Sequence, residues 1–294
     1  MSPFIIAISI ILATIPAIVW GSIFYKKDPV SRFRAKETFA LGMLAVTPIL
    51  LYKELWVSFP KINIFHYTAS LDQNLLGFTS LLVLPIGTVL AFMFVGVIEE
   101  IMKNMAVRRA DRGQFQNIDD AIEYSVIAAL GFAFVENILY FIFIWAYQGL
   151  EVLAVSFVFR SIFSTFAHVL FSGIYGYHYG IAVFAKAYYV KEIRQKKSHR
   201  IIEFIHKIFR FKQSTLFEDQ EMAKGLFLAV FLHALFNIFL ELNLTFIMIP
   251  FLVFGYTYLD RLFKDKENLI AWGKLKGKSG KKRWSGVSWR KKVA

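Results

Sequence analysis

The stretch from Ala121 to Tyr147, AIEYSVIAALGFAFVENILYFIFIWAY, decides the fold class. A helix that crosses a bilayer needs ~20 mostly apolar residues, and this run exceeds that. Glu136 and Asn137 sit inside it, with more than one helical turn of apolar residues on each side. That position is not an exit from the membrane. A carboxylate at such depth needs a hydrogen-bonding partner, a cation or a metal, and the plainest account of it is a packing contact between helices.

Comparable apolar runs lie at about Phe4 to Tyr25, Phe39 to Trp56, Leu75 to Ile98, Leu150 to Val190, Gly225 to Leu242 and Leu244 to Leu259. With 57% hydrophobic residues, 32 Phe and a mean hydropathy of +0.52, the 294-residue chain is too apolar for a soluble domain with a polar surface. The expected fold is all-α, a polytopic transmembrane bundle of about seven to eight helices. The run from Leu150 to Val190 is too long for one perpendicular span, so it reads either as a long tilted helix or as a span with an interfacial or re-entrant piece. No cysteine is present, which excludes disulfides, thiolate metal ligands and a cysteine nucleophile. The first residues lack a basic segment ahead of their apolar run and lead into Lys26 and Lys27, so they read as a retained span.

Charge orders these spans. Placing the N-terminus outside puts five basic residues of 26–37, four of 103–112, ten of 186–224 and twelve from Arg261 onward on the inner side, 31 of the 34 Lys and Arg. The positive-inside rule therefore predicts N-out and C-in, with 1–263 as the transmembrane protein and 264–294 as a basic cytoplasmic tail. That tail carries +9 of the net +13 and interleaves Trp272, Trp284 and Trp289. Anionic lipid is its expected neighbour, and nucleic acid is not expected. The segment IIEFIHKIFRF, 201–211, has the apolar spacing of a helix lying on the inner surface.

The ionisable residues at membrane depth form a short list. In GVIEEIMKNMAV, 96–107, Lys103 lies three and four residues after Glu100 and Glu99, so it shares a helical face with both and pairs with one. The other carboxylate is left free, as a general base requires. An interfacial charge cluster is the plainer account of this group, because Arg108, Arg109 and Arg112 follow. Arg160, Ser164, His168 and Ser172 recur at intervals of four, a polar stripe that implies a cavity. Arg160 is the obvious partner for a carboxylate and a candidate substrate-binding residue, whereas His178 is less persuasive. In GLFLAVFLHALFNIFLEL, 225–242, His233 and Asn237 stand one turn apart, where both are able to donate to a developing oxyanion. Taken singly, each is more often an interhelical hydrogen-bonder; their convergence is what points to a site.

This set of residues, in this order on successive spans, resembles the PrsW family of intramembrane proteases, within the wider superfamily of the CAAX prenyl endopeptidases. Glu99-Glu100-Ile-Met-Lys103 is similar to the family's EExxK, and Phe132-Ala-Phe-Val-Glu136 to its FxxxE. His168 and His233 fall where the family has histidines, and His233-Ala-Leu-Phe-Asn237 is similar to the HxxxN shared with the CAAX branch. The likeness covers roughly Gly96 to Asn237. Glu136 stands where CAAX enzymes have a histidine, which disfavours prenyl-peptide cleavage. The resemblance implies a multi-pass cell-membrane endopeptidase that cuts a membrane-anchored protein, such as an anti-sigma factor. Catalysis would fall to Glu99, Glu100, Lys103, Glu136, His168, His233 and Asn237, with glutamate-activated water as the expected mechanism and no obligatory cofactor. Zinc is the second reading, because glutamate and histidine also ligate Zn²⁺, but no HExxH pair is present. A transporter or proton relay and a non-catalytic membrane binding protein remain as alternatives of other classes.

Overall fold

The computed structural model describes residues 2–24, 29–63, 86–111, 113, 115 and 117–267. Among these the regular structure is all helical: α1 (Pro3–Phe24), α2 (Pro29–Leu44), α3 (Thr47–Ser58), α4 (Ile86–Asp111), α5 (Ile118–Gln148), α6 (Leu150–Phe159), α7 (Thr165–Val183), α8 (Ala185–Arg194), α9 (Arg200–Phe209), α10 (Gln213–Glu241) and α11 (Thr245–Glu267). A 3₁₀ turn follows α3, and a π turn, Arg160–Ser164, joins α6 to α7. Every backbone polar group at membrane depth must be satisfied internally, and a helix does this within one segment.

Local chemistry sets the breaks. Pro48 in the first turn of α3 withholds an N–H from the turn before it, so the second apolar run divides into α2 and α3. Asn117 caps α5 by accepting from the Asp120 amide at 2.9 Å, while the Asp120 carboxylate accepts from the Asn117 amide. Gly149, at φ 88°, ends α5 and turns the chain into α6.

Five stretches among the described residues are long and apolar enough to span: Pro3–Ile23, Phe33–Leu55, Ile118–Gln148, Leu150–Val183 and Gln213–Glu241. The sequence led us to expect seven or eight. The expected third span becomes α4, but its first part, 75–85, lies outside the described residues; α11 corresponds to the last run. The run from Leu150 resolves into a single helix through the π turn as far as Val183, followed by a break at Phe184 and the short α8. Its 34 residues reach ~51 Å at 1.5 Å per residue, which exceeds a ~30 Å hydrocarbon layer and calls for tilt or protrusion. The expected boundary at 263/264 falls inside α11, and the tail from 268 onward lies outside the described residues.

α5 is the hub, packed against α1, α2 and α7, while α10 closes against α4 and α7. Close approach explains two glycines: a Cβ on Gly42 would collide with the Ala128 carbonyl, and one on Gly131 with the Phe39 carbonyl, so α2 and α5 cross backbone to backbone. Helix α9 has Ile201, Phe204 and Ile208 exposed along one side and Ile202 buried.

Candidate active site

Helices α4, α5, α7 and α10 bring their ionisable residues to one place in the interior. Glu99, Glu100, Lys103, His168 and His233 are all buried, with Glu100 completely so. Lys103 pairs with Glu100, its neighbour on the same face of α4. The sequence left open which glutamate would take the lysine, and this pairing leaves Glu99 as the other. Lys103 Nζ also stands 3.2 Å from His168 Nδ1 and 5.0 Å over the Phe132 ring.

Each histidine is held by a carboxylate. His233 Nδ1 lies 2.7 Å from Glu100 Oε1, and His168 Nε2 lies 3.0 Å from Glu136 Oε2. The tautomer that donates to the carboxylate leaves the opposite nitrogen of each ring as an acceptor, and at His168 that acceptor is the Nδ1 that faces Lys103 Nζ. His233 Nε2 is then 3.5 Å from Glu99 Oε2. The two imidazoles meet edge to face, 5.3 Å between centroids, and Phe171 stacks on His233. These aromatic contacts restrain both rings.

Arg160 comes in from the π turn. It donates to Glu136 Oε2 at 2.8 Å and from Nε to Asn137 Oδ1 at 2.7 Å, and its guanidinium lies 3.8 Å over the Tyr140 ring. Asn137 Nδ2 donates to Thr165 Oγ1 at 3.1 Å, and that hydroxyl donates to the Arg160 carbonyl at 2.9 Å. Arg160 is thus the carboxylate partner the sequence suggested, already engaged by three side chains of α5. Its expected contact with substrate remains a proposal. Ser164, His168 and Ser172 of the stripe are buried.

Asn237 lies one turn from His233, half-buried, and is not part of this hydrogen-bonded set. Sequence reasoning singled out Asn137 without giving it a role, and it did not single out Thr165, Tyr140 or Phe171. Tyr140 had a signal, since it follows Glu136 by four residues and so shares its face. Thr165 had none, because its contact depends on the π turn. His178 is buried as well, but it pairs with Glu221 of α10 at 2.7 Å, away from this centre.

Two carboxylate oxygens, Glu99 Oε2 and Glu100 Oε2, are buried and accept no hydrogen bond from any described residue. One donor atom each from Glu99, His168 and His233 lie within 4.8 Å of one another. A carboxylate and two imidazoles are a donor set that suits a catalytic zinc-type ion, and carboxylates bonded to histidines are a usual support of such a set.

The family model described as PrsW family intramembrane metalloprotease matches residues 35–259. The chain belongs to the PrsW family. Two relatives are each called Protease PrsW. The one from Shouchella clausii is 32% identical over 181 residues, 60% of this chain and 70% of that protein. The one from Oceanobacillus iheyensis is 26% identical over 262 residues, 87% of this chain and 94% of that protein. No solved structure matches. Membership in the PrsW family makes the chain a hydrolase, a multi-pass intramembrane protease, and sets aside the transport and non-catalytic readings.

Proposed function

We propose that this PrsW-family protease cuts a peptide bond in or beside the membrane segment of a membrane-anchored protein, an anti-sigma factor being one candidate, at a centre where Glu99, His168 and His233 hold a divalent cation. The observation that carries this is the convergence of those three donors, with His233 also held by Glu100 and His168 by Glu136. A zinc ion there would supply Lewis acidity and a water that ionises near neutral pH.

The chain's own groups do the rest. Glu100, whose Oε2 accepts no hydrogen bond from any described residue, takes the proton of the attacking water as the water's oxygen bonds to the scissile carbonyl carbon. That proton passes to the leaving nitrogen as the C–N bond breaks. Lys103, touching both Glu100 and His168, places positive charge beside the developing oxyanion, and Asn237 is a further donor for it. Arg160 and Asn137 hold Glu136, and through it His168, in position.

The test is cleavage of single-span membrane peptides by purified protein, with elemental analysis of the same sample. Stoichiometric metal, loss of activity on chelation and recovery with Zn²⁺ are the expected results. Full activity without metal would instead favour the metal-free mechanism expected from the sequence, for which Glu99 Oε2, accepting no hydrogen bond from any described residue, is the supporting observation. The N-out, C-in arrangement rests on the basic-residue distribution. A reporter that works only in the cytoplasm should be active when fused after Lys197 and silent after Asn243, and the reverse result would invert the assignment.

A further inference from the structure

Beside the centre, toward the Asp111 end of α4, a separate cavity of about 170 Å³ opens between α4, α7 and α10. Asn104 and Arg108 line it from α4, Tyr175 from α7, and Met222, Ala223 and Leu226 from α10. Asn104 is 6% exposed, and its Nδ2 donates to no described residue. An unpaired amide donor at such depth is costly and awaits an acceptor. Arg108 stands exposed at the rim.

The position is consistent on all three helices. Asn104 is four residues beyond Glu100, Tyr175 seven beyond His168, and Leu226 seven before His233. At 1.5 Å per residue these steps put the cavity ~6–10 Å from the reacting groups along the bundle axis. A peptide bond inside a helix is shielded by its own hydrogen bonds, so the substrate must be extended where it is cut. An extended chain advances ~3.3 Å per residue, which places the cavity two to three residues from the scissile bond. Its volume suits one side chain, since a helix with its side chains is ~10–12 Å across and would need far more room. Unwinding also strips the substrate's carbonyls of their partners in an apolar medium, and Asn104 has the donor to satisfy one.

We infer that this cavity is a specificity subsite: it takes one apolar side chain of the unwound substrate, two to three residues from the scissile bond toward the Asp111 end of α4, while Asn104 donates to the adjoining backbone carbonyl. This rests on the proteolytic reading of the centre. Apart from that amide, Arg108 and the Tyr175 ring, its walls are Ile101, Met105, Met222, Ala223 and Leu226, and Arg108 at the rim favours an acidic residue just beyond.

The experiment uses the full chain in detergent with a library of single-span peptides randomised around the cut, and reads the products by mass spectrometry. Wild type should prefer Leu, Met or Phe at one of the two positions over Ala, Gly and Asp. Ala223→Phe narrows the cavity at its edge and should turn that preference toward Ala and Gly by roughly tenfold or more in relative kcat/KM, a range known for apolar pockets. Leu226→Ala widens it and should shift the preference toward larger side chains. Asn104→Leu should lower kcat/KM for all peptides alike without changing the profile. A wild-type profile indifferent at both positions would overturn the subsite while leaving the protease intact. So would Ala223→Phe and Leu226→Ala enzymes that cleave with the wild-type profile. If Ala223→Phe fails to accumulate, Leu226→Ala alone decides. No cleavage of any peptide by wild type would remove the protease reading itself, and the subsite with it.

Discussion

Two histidine–carboxylate assemblies lie buried in this bundle. At the centre, His168 and His233 meet Glu136 and Glu100, and residues of α4, α5, α7 and α10 converge on one point. Nearly three turns along α7, His178 meets Glu221 at 2.7 Å, and Lys224 lies 3.9 Å from the same carboxylate. Chemically the pairs are alike. They differ in what surrounds them: the first brings donor atoms of Glu99, His168 and His233 within 4.8 Å of one another, whereas the second, where His178 Nε2 is unpaired, joins two helices without a third ligand among the described residues. Burial of an ionisable group does not by itself mark a reaction centre, because a helix clamp also needs it. Convergence of donors from several helices is what separates the first assembly from the second.

The contrast makes graded predictions. Glu99→Gln, His168→Ala and His233→Ala should each reduce peptide cleavage by roughly 10³-fold or more while the protein still accumulates in the membrane. Loss of the protein from the membrane instead would make the centre a clamp like the other. Glu136→Gln keeps the shape of a positioning group but weakens its hold on His168 and Arg160, and a loss of about 10–100-fold is expected, as for other outer partners of ligating histidines. An undiminished rate would detach Glu136 from the centre. His178→Ala should leave cleavage within about twofold, yet lower stability by about 1–3 kcal/mol, because it strands the Glu221 carboxylate. Thermal unfolding in detergent reads the second effect, and a loss of cleavage matching His168→Ala would erase the distinction between the two assemblies.

The stripe at Arg160, Ser164, His168 and Ser172 illustrates how far a sequence reaches. Steps of four drift ~40° each around a helix of 3.6 residues per turn, so a straight helix would carry Arg160 away from the face of His168. The wider turn from Arg160 to Ser164 offsets part of that drift, and Trp20 of α1 donates to the Ser161 carbonyl there at 2.9 Å. Arg160 and His168 thereby reach the same carboxylate. The stripe was legible, but the bulge that makes it work was not, because no Pro or Gly marks it. The pairing of Lys103 was legible to within two candidates, and Asn237 was assigned to the centre by its spacing from His233 and the likeness to HxxxN.

By itself the sequence determined the membrane setting, the helical class and which residues had to be explained. Each apolar run meets the bilayer on its own terms, so hydropathy and charge add up along the chain without reference to neighbours. The tertiary structure decided that Glu100 takes Lys103, that Glu99 joins His168 and His233, and that His178 stands apart with Glu221. Those outcomes depend on how each helix is rotated and on which helix lies beside it. Rotation and adjacency are set by interhelical contacts such as the backbone crossing at Gly42 and Gly131, which no periodicity within a single helix encodes.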